Sequence, residues 1–138
     1  MVEITKVDGR YAERLAPLNQ ALIAEEGSTT LLNLVQLAQR LRHWLDCDYQ
    51  CLAVFEGERL VGYCLFALEP DRNYIRQLYV VPDRRRCGYG RLLLERAETM
   101  ATPGKPLHLE VLANNDRVLG FYQKLGYLSY VYELRKQR

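Results

Sequence analysis

At Asp46 the apolar periodicity of the chain changes from that of a helix to that of a strand, and no other feature constrains the fold as much. Before that point, apolar residues recur at helical spacing in two stretches. The first carries Tyr11, Leu15, Leu18 and Leu22; the second carries Leu31, Leu34, Leu37 with Ala38, Leu41, and Trp44 with Leu45. Asp8 is placed to cap the first helix, and Ser28 or Thr29 is the expected N-cap of the second. Pro17 lies inside the first pattern and is expected to kink or divide it. Beyond Asp46 the period is two. Cys51-Leu52-Ala53-Val54-Phe55, residues 60–68 and residues 74–81 read as three strands of one meander, with turns at Glu56-Gly57-Glu58 and Pro70-Asp71-Arg72-Asn73.

The flanking segments complete the pattern. Residues 2–7 form a short opening strand. After Pro82-Asp83 come a run of arginines, two glycines, and a helix bearing Leu92, Leu93, Ala97 and Met100, which Thr102-Pro103-Gly104 ends. Residues 107–112 form another strand. Asn114-Asn115-Asp116 opens a short helix through Val118, Leu119, Phe121, Tyr122 and Leu125, with Gly126 at its C′ position. Residues 127–134 read as a last strand. The order β-α-α-β-β-β-α-β-α-β describes a single α+β domain, 1–138, in three layers (α/β/α). Its central sheet is mixed and mostly antiparallel, with about six strands and four helices.

Composition narrows the function classes. Nineteen Lys and Arg against seventeen Asp and Glu leave a net charge of +2, too little for a dedicated nucleic-acid binder. No apolar run is long enough for a membrane span, and the first residues lack the apolar core of a signal peptide, so a cytoplasmic protein is expected. Four cysteines in a chain with this much core read as thiols rather than a disulfide framework. His43, Cys47 and Cys51 do not share one helix face and have no fourth partner, so no metal is expected.

The chemistry concentrates where a strand ends, a loop turns and a helix begins at two glycines: Val80-Val81-Pro82-Asp83-Arg84-Arg85-Arg86-Cys87-Gly88-Tyr89-Gly90-Arg91. Free amides at a helix N-terminus, with the positive end of its dipole, attract anions. Gly88 and Gly90 remove the Cβ atoms that would hold an anion off the backbone. The implied ligand is a phosphate or pyrophosphate. Arg91 stands where a Walker lysine would follow, and Leu93 where a dinucleotide fingerprint needs its third glycine, so neither of those loops fits.

Arg85-x-x-Gly88-x-Gly90 after Leu78-Tyr79-Val80-Val81-Pro82-Asp83, followed later by Phe121-Tyr122-x-Lys124-Leu125-Gly126-Tyr127, resembles the signature segments of the GNAT family of N-acetyltransferases. The resemblance covers essentially the whole chain. It implies a GNAT-like fold and acetyl-CoA as donor, with CoA as product. The main chain of Leu78, Tyr79 and Val80 would pair with the pantetheine amides. The amides of Arg85, Arg86, Cys87, Gly88, Tyr89, Gly90 and Arg91 would hold the pyrophosphate, and the side chains of Arg84 to Arg86 could reach a 3′-phosphate. Asn115 would contact the cofactor. The spacing from Glu110 to Tyr122 resembles that of the family's ribosomal-protein acetylating members, which implies Glu110 as proton acceptor and Tyr122 as proton donor. Cys87 is expected to be a spectator, since the family transfers acetyl directly.

For the acceptor, Asn19, Glu25 and Glu26 cluster where the helical pattern breaks, and Arg76 is polar in an otherwise apolar strand. These four are the expected substrate-binding residues. The leading expectation is acetyl transfer from acetyl-CoA to a primary amine by direct attack in a ternary complex, with a small-molecule amine favoured. The alternatives are a protein or peptide N-acetyltransferase and a non-catalytic acyl-CoA-binding module. Neither a nucleic acid nor a membrane is expected as partner. Twelve residues follow Gly126, room for one strand where many relatives have two, so the cleft is expected to be open or completed by a second subunit in a homodimer.

Overall fold

The computed structural model describes residues 2–28 and 31–138. Five strands form one sheet in sequence order: β1 (Val2–Val7), β2 (Tyr49–Glu56), β3 (Arg59–Leu68), β4 (Asn73–Val80) and β5 (Leu107–Leu109). The first four are antiparallel neighbours and β5 joins β4 in parallel. Helices α1 (Ala12–Glu25) and α2 (Leu34–Asp46) cover one face, while α3 (Tyr89–Met100) and α4 (Asp116–Lys124) belong to the other. The three-layer α+β reading therefore holds, with four helices and five strands rather than six.

Each face has its own core. Leu15, Leu37, Leu41, Cys51, Tyr63 and Leu65 are sealed beneath α1 and α2. Leu52, Val54, Val61, Cys64, Phe66, Leu93 and Leu94 fill the side of α3. Strand alternation explains the partition, since successive residues of β2 and β3 point to opposite layers. β3 has water on neither face, so its buried run is continuous from Leu60 to Ala67.

Several local expectations are corrected. Helix α2 starts later than expected, because Asn33, not Ser28, is its N-cap: Asn33 and Gln36 close a reciprocal capping box. Thr29 lies outside the described residues, and Leu31, expected on the apolar stripe, is 95% exposed. Pro17 does not divide α1, which runs unbroken for 14 residues. Asp8 caps a short 3-10 turn, Gly9–Tyr11, that leads into it. The expected last strand, residues 127–134, is not formed. With β5 only three residues long, a further strand would find almost no ladder to pair with, and Leu128, Tyr130, Tyr132 and Leu134 remain more than four-fifths exposed. No helix among the described residues is long and apolar enough to cross a membrane.

One buried amide ties the sheet to the segment after α3. Asn73, 2% exposed at the start of β4, donates to the carbonyls of Thr102 and Lys105 and accepts from the Thr102 amide. Asn73→Ala leaves these groups without partners, and urea unfolding should show a loss of about 2–3 kcal/mol.

Candidate active site

The site begins with a fault in the sheet. Leu65 and Phe66 of β3 face Gln77 and Ile75 of β4, so Arg76 is an extra residue, a β-bulge. β4 and β5 pair only from Asn73↔Leu107 to Ile75↔Leu109, and past the bulge they part. A cleft of about 760 Å³ opens between them, lined on one side by Gln77, Leu78 and Val80 and on the other by Glu110, Val111 and Leu112. The Val81 amide donates to the Val61 carbonyl on β3, so by alternation Leu78 and Val80 turn their main-chain groups toward the cleft. Tyr79, expected beside them, turns its main chain to β3 instead. Its ring is buried and its hydroxyl donates to Glu25 at 2.9 Å.

At one end of the cleft lies the loop into α3. Arg84 and Arg85 donate their amides to Val81 and Pro82, and the next helical bond is Leu92 to Gly88. Between them, the six amides from Arg86 to Arg91 have no acceptor among the described residues. Left-handed backbone at Arg86 (φ 66°) and Gly88 (φ 84°) shapes successive amides into a concave nest. A Cβ on Gly88 would meet nothing within 4 Å, so the space beside it is open. A Cβ on Gly90 would reach Phe121 at 3.5 Å.

The side chains of the loop are mostly occupied elsewhere. Arg84 is paired with Glu56 at 2.7 Å and with Asp83, which in turn receives two bonds from Arg59. Tyr89 donates to the other oxygen of Glu56 at 2.6 Å. Arg85 grips both oxygens of Glu25 at 2.8 Å and donates from Nε to the Val80 carbonyl. Arg91 pairs with Glu95. Of the run Arg84 to Arg86, only Arg86 has no ion pair among the described residues. Cys87 is exposed and meets only the Arg85 carbonyl, at 3.8 Å.

At the other end, Glu110 and Tyr122 share the cleft with Asn115, Glu26 and Arg76. The Tyr74 hydroxyl donates to Glu110 Oε1 at 2.6 Å, which fixes that carboxylate and leaves its second oxygen free. Burial and the Glu110 bond push the Tyr74 phenol up to about 12, so it remains the donor at neutral pH. Tyr122 is 8% exposed, its ring held edge-on between Phe121 and Tyr127. Its place on α4 is set by a Schellman motif: Gly126 at φ 97° donates to Gln123, and Tyr127 donates to the Tyr122 carbonyl. The Tyr122 hydroxyl has no hydrogen-bond partner among the described residues, and burial pushes its pKa up, so the phenol stays protonated.

Two of the expected acceptor residues have other partners. Asn19 is fully buried, donating to Tyr63 and accepting from Arg40 at 3.4 Å, so it does not belong to the cleft wall. Glu25 lines the cleft, but Arg85 already neutralises it. Glu26 is the partly buried carboxylate there without an ion pair among the described residues, and burial raises its pKa. Gln77, the polar neighbour of Arg76 in β4, also lines the cleft and accepts from the Tyr63 hydroxyl at 2.9 Å, which links that core tyrosine to it. Sequence reasoning overlooked Tyr74 as the partner of Glu110; the two-residue alternation of adjacent strands is the signal that would have found it.

The family model for the acetyltransferase (GNAT) family matches residues 18–127, which takes in both ends of the cleft. The chain belongs to the GNAT family. It is 36% identical over 92 residues to a peptidyl-lysine N-acetyltransferase of Escherichia coli, a match covering 67% of this chain and 58% of that one. The chain thus spans little more than half the length of that curated relative. Among solved structures, an aminoglycoside N-acetyltransferase in complex with CoA superposes with a TM-score of 0.83 at 11% identity, covering 100% of this chain and 95% of the other. A ribosomal-protein-alanine N-acetyltransferase from Brucella melitensis superposes with a TM-score of 0.75 at 19% identity over 100% of both chains. At such identities these likenesses establish the GNAT fold.

Within that fold the Glu25–Arg85 pair joins α1 to the loop before α3. Burial works to raise the Glu25 carboxyl, but the hydrogen bonds from Arg85 and Tyr79 outweigh it and hold its pKa below the ordinary 4.5. A depressed carboxylate stabilises the fold above its unfolded pKa, and that contribution is lost as pH falls from 4.5 toward the folded value. Glu25→Gln should therefore lower Tm at pH 7, with the difference from wild type closing under acid conditions in a pH series of thermal melts.

Proposed function

We propose that the chain is an acetyl-CoA-dependent N-acetyltransferase acting on a primary amine in a ternary complex. The observation that carries the reading is the run of six unpartnered amides, Arg86 to Arg91, opening on the same cleft as the unpartnered Tyr122 hydroxyl. The nest and the open space beside Gly88 fit a pyrophosphate. The free main-chain groups of Leu78 and Val80 fit the amides of a pantetheine arm, although one carbonyl, that of Val80, already accepts from Arg85. Asn115 lines the same wall.

When bound, acetyl-CoA supplies an acetyl group activated as a thioester. The chain's own residues manage the protons. An alkylamine is mostly ammonium at neutral pH, and freeing its lone pair costs about 4 kcal/mol. Glu110, oriented by Tyr74 and with one oxygen free, accepts that proton directly or through water. Tyr122, kept neutral by burial, holds a proton on its hydroxyl for the departing sulfur. Glu26 attracts the cationic acceptor into the cleft.

Two acceptor classes present this same reacting group. A small-molecule amine suits the compact cleft. A lysine side chain is supported by the name of the Escherichia coli relative, and by the exposed C-terminal segment, which does not roof the cleft. Mass detection of product from a panel of amines and lysine peptides tells them apart. A non-catalytic acyl-CoA-binding module would bind CoA and yield no product with any of them.

CoA should raise Tm, and Gly88→Trp, which fills the open space at the nest, should abolish that rise; an undiminished rise would remove the loop from the site. Tyr122→Phe should lower kcat by about 100-fold while leaving CoA affinity unchanged, as measured by steady-state kinetics and calorimetry.

A further inference from the structure

Two positive charges without ion-pair partners among the described residues share one indole, and one of them, Arg76, lines the cleft. Arg76 lies 4.4 Å from the ring centroid of Trp44 and Arg40 lies 4.6 Å from the same centroid. Arg76 Nη1 donates to the Tyr49 hydroxyl at 3.2 Å, and Arg40 Nη2 to Asn19. Both acceptors are neutral. Arg40 Nε is buried and has no hydrogen-bond partner among the described residues. Neither guanidinium forms an ion pair among the described residues, whereas Arg72, Arg84 and Arg85 all do. Burial and the charge of Arg76 both work against the Arg40 cation. Two guanidiniums stacked on one indole, one of them exposed at the cleft, form a site that an anion would complete.

The sheet is built to present this pair. On either side of the bulge, Ile75 and Leu78 pack toward α3, while Gln77 bonds to Tyr63 in the opposite core. The extra residue places Arg76 beside Gln77 on the face of α1 and α2, where Trp44 and Arg40 stand. Glu26 and Glu110 in the same cleft suit the ammonium end of an acceptor, and Arg76 forms no ion pair with either.

Building on the acetyl-transfer reading, we infer that the acceptor is an anionic amine, one that carries a carboxylate or similar group close to its reacting nitrogen, and that Arg76 binds the anion with the Arg40 charge behind it on the same indole. A free amino acid and an acidic residue beside a lysine both present such an anion. A polycationic amine, by contrast, meets repulsion here.

Matched acceptors test this. ω-Amino acids of increasing chain length are compared with their carboxamides, and lysine peptides carrying aspartate next to the lysine with the same peptides carrying asparagine. At least one carboxylate member should exceed its amide by about tenfold in kcat/KM. Arg76→Gln should remove the difference by raising KM more for the carboxylate member than for the amide, with Tm preserved. Whichever series discriminates identifies the source of the anion. Trp44 is the single tryptophan of the chain, so its emission reports anion binding without any chemistry. If no acceptor is acetylated, the transfer reading fails, and the emission titration alone decides the inference: a response to the carboxylate member that is absent with the amide and lost in Arg76→Gln upholds it. Equal behaviour of both members in the wild type, or a difference that survives in a folded Arg76→Gln variant, overturns it.

Discussion

Hydrogen-bonding groups on a peptide backbone cannot be left in a protein interior without partners, and the cleft opens where one strand runs out of a neighbour to pair with. β4 is paired on both edges only as far as Ile75. Beyond it, the edge that faced β5 has no strand to pair with, and the main chain of Leu78 and the amide of Val80 turn to the cleft, while the Val80 carbonyl accepts from Arg85. The same condition recurs at the loop into α3, where six consecutive amides lack acceptors among the described residues. Main chain, more than side chain, is therefore what the fold offers a ligand at this end. Side chains hold the scaffold: Glu56 takes Arg84 and Tyr89 from beneath, and Glu25 takes Arg85 from the side.

This division explains which parts of the site could be read from the chain alone. Backbone sites leave a compositional mark, and glycines at 88 and 90 ahead of a helix pattern are such a mark, so the loop was visible without coordinates. The meander was visible as well, because its period-two runs alternate with short turns. Arginine roles were not. Arg84, Arg85 and Arg86 are alike in sequence, yet their partners are a strand-end glutamate, a helix-end glutamate and none among the described residues. Such assignments depend on contacts between elements dozens of residues apart.

Asn19 and the last strand illustrate two further limits. Asn19 is polar and close in sequence to Glu25-Glu26-Gly27, which suggests a surface role, but it lies within α1 and a hydrogen bond to Tyr63 makes its burial tolerable. Residues 127–134 have the alternation of a strand, but a strand also needs a neighbour, and β5 ends at Leu109. Periodicity describes what a segment is able to do. Whether it does so depends on what the rest of the chain leaves for it to pair with.

The bulge at Arg76 sets a rule for how β4 can change over time. Ile75 and Gln77 serve opposite layers of the molecule, so dropping the extra residue between them would leave a regular ladder with every other side chain still in its layer. A gain or loss anywhere else along β4 would turn the residues beyond it to the wrong face. Divergence in this strand is expected to proceed through changes of residue type at constant spacing, with length variation confined to the turns and to the bulge itself.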